Sequence, residues 1–308
     1  MTEQEQTDQN YINTDNEIDL RQFISTLWNR KWLIIGVTSL FAFLSIIVTL
    51  QIPNEYKSTT MLAPTQGSSG SLTSVTSQIS GIASLAGINI PKGATNETQM
   101  AQEIMKSWSF IEKFIDENNL AEELSAVEGW DMATNKLIFN EDIYDVKQAK
   151  WVGSKKPTSW QLYKLFSNRL SIIQNSVTGM ISLSIEYYSP VVAQQWVELF
   201  VESINEHMRL RKLNQSNVNI EYLQQQISKT SIAEMKIVFY EIIEEQTKGK
   251  MLAEASREYV FVTVNKAMVP EVKSKPVRSI TVLAITLLGG IISSLYVLIL
   301  GYMRPRIN

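Results

Sequence analysis

Two long windows without a charged residue lie near the two ends of this chain. The first covers residues 32–54 and is apolar over 32–52; the second covers residues 279–303. A helix of roughly 20 apolar residues can cross the ~30 Å hydrocarbon layer of a bilayer. A buried helix of a soluble protein at this length would normally carry charge along one face. The sequence therefore predicts two transmembrane helices, at residues 32–52 and 279–303.

The charges beside the first window predict its orientation. Arg21, Arg30 and Lys31 precede it, and no A-x-A-like cleavage site follows it. Basic residues mark the cytoplasmic side of a span, and a signal peptide would need that cleavage site. We therefore expect an uncleaved anchor whose N-terminus is cytoplasmic.

This orientation divides the chain into parts with different surroundings. Residues 1–31 would form a cytoplasmic tail with an interfacial helix, and residues 304–308 a short cytoplasmic end. Residues 53–278 would form the main domain on the other side of the membrane, with long helices over 190–248. Aromatic residues prefer the membrane interface, so three side chains are predicted interfacial anchors: Trp28, Trp32 and Tyr302.

The pattern of the main domain predicts an α+β fold. Strands are expected where apolar residues alternate, at residues 55–63, 181–187 and 259–266, with Val260, Val262 and Val264 on one face. We expect these strands to pair in a mixed sheet close to the membrane. Helices are expected at 96–118 and at 159–170, where Thr158 and Gln161 form a capping box.

The long helical region is expected to start at Ser189 and Pro190, which form a cap followed by a first-turn proline. Its apolar spacing is interrupted, so the sequence predicts two long helices, or one helix with a bend near residues 213–219. Gly249 is expected to end or bend the last of them.

The sequence carries no recognisable catalytic or cofactor-binding motif. It has no cysteine and one histidine, His207, which we interpret as a solvated helix residue. Glu241, Glu244 and Glu245 are adjacent on one helix and are interpreted as a solvated face. Three tryptophans, at positions 130, 151 and 160, could stack on sugars but are more often core residues. No enzyme activity, metal or cofactor is expected.

Nucleic acid is not an expected partner, because 28 basic residues are offset by 31 acidic ones. Two pairs of small residues in the second window, Gly289/Ser293 and Gly290/Ser294, have the spacing that lets membrane helices approach closely. These four residues are predicted to pack helices together.

An ordered set of short segments resembles the Wzz-type polysaccharide chain-length determinants, the class 1 co-polymerases of Gram-negative inner membranes. The segments are residues 18–23, 27–34, 55–58, 84–88, 103–107, 189–193 and 270–276, the last bounded by Pro270 and Pro276. The resemblance implies an α+β domain beside the membrane, a long periplasmic helix and a ring-like homo-oligomer. It also implies a role for the proline segment.

The function implied by the resemblance is regulatory. Such a protein would set the modal length of O-antigen in lipopolysaccharide made by a separate membrane polymerase, with lipid-linked glycan as a possible ligand. The four small residues of the second window, Gly289, Gly290, Ser293 and Ser294, are then also predicted to contact this polymerase. Three alternatives stay open: an export or co-polymerase adaptor for capsule or exopolysaccharide, a periplasmic scaffold or receptor, and a membrane-tethered glycan hydrolase.

Overall fold

The computed structural model describes residues 27–28, 30–65, 93–153 and 155–303. The chain divides into two units, Met1–Ile52 with Pro276–Asn308, and Pro53–Lys275. The predicted interfacial helix before residue 27 and the 84–88 segment of the resemblance lie outside the described residues.

The described residues form eight helices and eight strands. The helices are α1 (Lys31–Gln51), α2 (Gly93–Lys106), α3 (Trp108–Glu117), α4 (Ala121–Ala126), α5 (Ser159–Arg169), α6 (Pro190–Lys229), α7 (Ala233–Ala255) and α8 (Arg278–Met303). The strands are β1 (Tyr56–Pro64), β2 (Val127–Asp131), β3 (Lys136–Phe139), β4 (Tyr144–Asp145), β5 (Lys150–Trp151), β6 (Leu170–Gln174), β7 (Ile181–Tyr187) and β8 (Phe261–Asn265).

The first unit contains the two terminal helices, α1 and α8. Both are long and apolar enough to cross a membrane, and their bounds lie within one residue of the predicted windows. The two helices pack against each other within this unit.

The second unit is built on a four-stranded sheet with the strand order β6-β7-β1-β8. The three predicted strands are its β1, β7 and β8, and the α+β class is confirmed. Every pairing in the sheet is antiparallel, where we had expected a mixed sheet. The sheet also contains β6, which the sequence analysis missed. Tyr56 pairs with Tyr187 at one end of the β1–β7 ladder, and Leu62 pairs with Ile181 at the other.

Of the predicted valines, Val262 and Val264 share one face of β8, and that face is the exposed one. Phe261 is fully buried, whereas Val262 and Val264 are 39% and 53% exposed. Val260 is buried, but it precedes the strand. Side chains of a strand alternate between faces, so burial of the larger aromatic Phe261 turns the two valines outward.

Helix α6 covers the sheet and supplies the centre of the core. Phe200 is fully buried, and its ring makes T-shaped contacts with Phe110 and Phe114 of α3 at centroid distances of 5.4 and 5.0 Å. Phe166 of α5 lies 5.4 Å from the same ring. Edge-to-face aromatic pairs stabilise a core by about 0.5–1.5 kcal/mol each beyond the burial of area. One ring of α6 therefore joins two other helices.

The helix before this core is interrupted once. The predicted helix 96–118 is split between α2 and α3 at Ser107, whose hydroxyl accepts a hydrogen bond from the amide of Phe110. A serine at this position caps a new helix and so competes with continuation of the previous one.

The long helical region begins as predicted and breaks at a different place. Ser189 caps α6 and Pro190 occupies its first turn. Helix α6 has 40 residues, about 60 Å at 1.5 Å per residue, and runs without a break through 213–219. The chain leaves the helix only at Thr230, because Thr and Ser hydrogen-bond locally and are weak helix formers.

Of the two effects expected at Gly249, the end of the helix is not what the structure shows. It lies inside α7, where a Cβ would come 3.3 Å from Cε of Lys212 on α6. A glycine costs a helix interior only about 1 kcal/mol, and the packing of α7 along α6 supports the helix past this position.

Candidate functional site

The contact between α1 and α8 is formed by a narrow stripe of small residues. On α8, Gly289, Ser293 and Val297 are buried at four-residue spacing. On α1, Ser45 and Thr49 are buried at the same spacing. Both helices are otherwise largely exposed, so this stripe is the surface along which they meet.

Gly289 is the point of closest approach. A Cβ built at Gly289 would lie 2.6 Å from both Cβ and Cγ of Phe41, too close for any ordinary contact. A Cβ at Gly290 would meet Thr38 at 3.8–3.9 Å, an ordinary van der Waals distance. Of the two predicted glycines, only Gly289 therefore requires a residue without a side chain.

The hydroxyl groups near this contact are satisfied within their own helices. Ser293 and Ser294 both donate to the carbonyl of Gly290, at 2.9 and 2.8 Å. On the other helix, Ser45 donates to the carbonyl of Ala42, and Thr49 to that of Ser45. The two helices are therefore joined here by close packing of small residues, which drives membrane-helix association. Contact of these residues with a polymerase stays a prediction.

Two of the predicted interfacial anchors are exposed tryptophans near the start of the first helix. Trp28 and Trp32 are 69% and 77% exposed, and Nζ of Lys31 lies 5.0 Å from the Trp28 ring centroid. Tyr302 falls in the last turn of α8. Exposed indoles beside an apolar helix suit a membrane interface, and that role stays a prediction.

The two chain ends of the second unit are joined by backbone hydrogen bonds. The amide of Glu55 donates to the carbonyl of Lys275 at 2.9 Å, and the amide of Ser274 donates to the carbonyl of Glu55 at 2.8 Å. These bonds lie between the prolines of the predicted segment, and both Pro270 and Pro276 are half-buried. Proline has no backbone N–H to donate. The two prolines lie outside the hydrogen-bonded pair of Ser274 and Lys275, one on each side.

Arg169, at the end of α5, lies beside this junction. Its Nη1 is 3.4 Å from Oε1 of Glu55 and 3.4 Å from the carbonyl of Glu186. Its guanidinium also lies 5.1 and 4.7 Å from the ring centroids of Tyr187 and Tyr188. Arg169 thus ties the start of β1 to the end of β7, a role that the sequence analysis missed.

A second ion pair fixes the same end of the sheet. Nζ of Lys275 pairs with the carboxylate of Glu186, and this hydrogen bond raises the pKa of Lys275. Because Glu186 belongs to β7 and Lys275 immediately precedes Pro276, the pair attaches the strand to the segment that leads into α8. We call Glu55, Arg169, Glu186 and Lys275 the junction cluster.

His207 lies in a groove of mixed charge. The groove has a volume of about 800 Å³ and is lined by Lys113, Glu117, Glu206 and Arg257 among others. The His207 ring packs edge-on against Phe110 at 5.4 Å. Its pKa is lowered by burial and then by the charges of Lys113 and Arg211. His207 is therefore half-buried against an aromatic ring, where a solvated helix residue was expected.

Other residues considered for chemistry are held in structural contacts. Glu244 pairs with Lys248 one helical turn away, and hydrogen bonding from that lysine lowers its pKa. No group of His, Cys, Asp and Glu that could hold a metal ion occurs within residues 27–65 and 93–303, as far as they are described. Trp130 packs on Tyr56, Trp151 on Tyr144, and Trp160 on Tyr163.

Comparisons with solved structures give weak similarity over most of the chain. A full-length bacterial polysaccharide co-polymerase is 14% identical, with 94% of this chain and 98% of that chain covered and a TM-score of 0.37. A fragment of WzzB, a polysaccharide co-polymerase from Salmonella Typhimurium, is 14% identical, with coverages of 72% and 100% and a TM-score of 0.29. At these TM-scores and identities, neither structure is used to assign a fold or a role to this chain.

One family model matches part of this chain. No curated protein matches the chain. The family model described as "Wzz: Chain length determinant protein" matches residues 16–118, which include α1, β1, α2 and α3. The predicted resemblance is therefore confirmed, and residues 16–118 of this chain match the Wzz chain length determinant family.

Proposed function

We propose that this protein is a non-catalytic regulator in the inner membrane of a Gram-negative bacterium. It sets the modal chain length of the O-antigen of lipopolysaccharide, which a separate membrane polymerase makes. The observation that carries this proposal is the family match over residues 16–118. The two apolar terminal helices support a membrane location.

The proposed topology places both termini in the cytoplasm and the Pro53–Lys275 unit in the periplasm. The basic residues before α1 support this orientation. The junction cluster suits the arrangement, because it joins the two chain ends that lead to the two spans.

The proposed partners are further copies of this chain in a ring, a membrane polysaccharide polymerase and lipid-linked glycan. The close packing at Gly289 supports a paired arrangement of the two spans within one protomer. The exposed sides of α1 and α8 are then the surfaces available to a second copy or to the polymerase. In the Pro53–Lys275 unit, the exposed faces of α6 and α7 are available to a second copy of the chain.

Deletion of the gene, followed by its restoration, tests the proposal. Lipopolysaccharide separated on a gel should change from a banded modal cluster to a broad distribution, and restoration should return the cluster. Capsule and exopolysaccharide should be measured in the same cells. Loss of those polymers with an unchanged ladder would favour the export adaptor and contradict the O-antigen role. No change in either polymer would favour the scaffold or receptor.

A further inference from the structure

The segment between β8 and α8 exposes three apolar side chains within five residues. Met268, Val269 and Val272 are 70%, 43% and 78% exposed, and we call them the apolar linker residues. Single exposed apolar side chains are common on proteins. Apolar side chains that are exposed together are instead typical of sites that contact a protein or a membrane.

The backbone of this segment is held in place on both sides of the apolar linker residues. The hydroxyl of Ser58 donates to the carbonyl of Met268 at 2.9 Å, and the buried Ala267 precedes it. Further on, the amide of Ser274 donates to the carbonyl of Glu55. The exposed side chains therefore project from a fixed backbone.

Chain length keeps this segment near both spans. Val272 is six residues before Arg278, the first residue of α8. An extended chain covers at most about 3.6 Å per residue, so this distance is at most ~22 Å. Glu55, which is bonded to Ser274, is four residues after the end of α1 at Gln51, or at most ~14 Å. Two independent tethers thus limit how far the segment can lie from the bilayer.

The charge of the segment suits lipid headgroups. Residues 266–275 contain three lysines and one glutamate. Lys275 is paired with Glu186, while Lys266 is exposed and Nζ of Lys273 lies 3.3 Å from Oδ1 of Asn54. Apolar side chains combined with lysines are the composition of segments that lie in a membrane interface, especially on anionic lipid.

We propose that Met268, Val269 and Val272 insert into the interfacial layer of the membrane that α1 and α8 span, with Lys266 and Lys273 at the phospholipid headgroups. The proposal rests on the membrane location under Proposed function. It makes the segment a third membrane contact beside the two spans.

Site-directed spin labelling tests this insertion, because the natural chain has no cysteine. Full-length V272C would be labelled in vesicles of phosphatidylethanolamine and phosphatidylglycerol. Collisions with oxygen, which partitions into lipid, would be compared with collisions with a water-soluble nickel chelate. The label at 272 should be more accessible to oxygen than to the nickel chelate.

Two further single-cysteine variants are controls. V177C lies in the turn after β6, at the Ile181 end of the sheet, and Val177 is 92% exposed. It should be accessible to the nickel chelate. L287C lies within α8 at a residue that is 59% exposed, and it should be accessible to oxygen only.

The outcomes separate this inference from the proposed membrane location. A label at 272 as water-accessible as that at 177, with a lipid-exposed label at 287, would overturn the insertion alone. A label at 272 shielded from both reagents and broadened by neighbouring labels would mean that a second copy covers it, which also overturns the insertion. A water-accessible label at 287 would overturn the proposed span and, with it, the insertion.

Discussion

Replacement of Gly289 by alanine should separate the two terminal helices. The added Cβ would lie 2.6 Å from Cβ and Cγ of Phe41. Because carbon atoms pack optimally at about 3.5–4.0 Å, the helices must move apart by about 1 Å. Overpacking of this kind costs roughly 1–3 kcal/mol. At 1.4 kcal/mol per tenfold, the equilibrium constant for pairing of the two helices falls about 5- to 150-fold.

A matched control is available in the same helix pair. A Cβ at Gly36 of α1 meets no heavy atom within 4 Å. The variant G36A therefore changes glycine to alanine in a membrane helix without a clash. It should leave the pairing unchanged.

Disulfide formation between the helices measures the pairing. A Cβ at Gly290 would lie 3.8 Å from Oγ1 of Thr38, so the side chains of a T38C/G290C pair face each other, and a small shift brings the two sulfur atoms into bonding distance. In this background, G289A should slow oxidative cross-linking several-fold and G36A should not. Equal rates for G289A and its parent would refute the close approach at Gly289.

Three further variants test the second unit. R169A should lower its stability by about 2 kcal/mol, or roughly 4–8 °C in Tm, because a largely buried ion pair and two ring contacts are lost; an unchanged Tm of the purified protein would contradict this. N205A should cost about 2–4 kcal/mol and speed hydrogen exchange at the start of β8, because the buried Asn205 side chain bonds three backbone groups there; unchanged exchange would contradict it. Burial raises the pKa of Glu123, which also accepts a hydrogen bond from Trp196, so the native state holds more protons and stability falls as pH rises above 4.5 through the raised pKa. E123Q should flatten that dependence in urea unfolding, and an identical slope would contradict it.

Helix caps and one strand were predicted correctly from the sequence, because these features depend on residues that are close together along the chain. The capping box at Thr158 and Gln161 is present, and Ser189 caps α6 as expected. Strand β7 has the predicted bounds, Ile181–Tyr187. In each case, the bonds or the alternation involve residues within a few positions of one another, so tertiary structure had little to override.

The features of the fold that the sequence did not predict are those that depend on packing between segments distant in sequence. Strand β6 was missed because its five residues acquire their pattern only by pairing with β7. The outward turn of Val262 follows from burial of Phe261, which depends on helices distant in sequence. Gly249 was expected to end or bend a helix, but α7 continues through it, because packing along α6 outweighs its weak helix propensity.

The candidate sites were predictable in part. The Gly289/Ser293 spacing was visible in the sequence, but the partner residue, Phe41, was not, because a spacing on one helix does not identify the facing side chain. Arg169 was missed for a similar reason, since its partners Glu55 and Glu186 are 114 and 17 residues away. Ion pairs between distant segments leave no periodic signal.

The central claim is that this chain sets glycan length, and the ladder of lipopolysaccharide from restored cells tests it most directly. A deletion strain would receive an empty vector, the natural gene, or the G289A or G36A variant, with equal membrane levels confirmed for each protein. The account predicts a modal cluster with the natural gene and with G36A, and a broadened distribution with G289A and the empty vector. The same broad ladder with the natural gene as with the empty vector would contradict it.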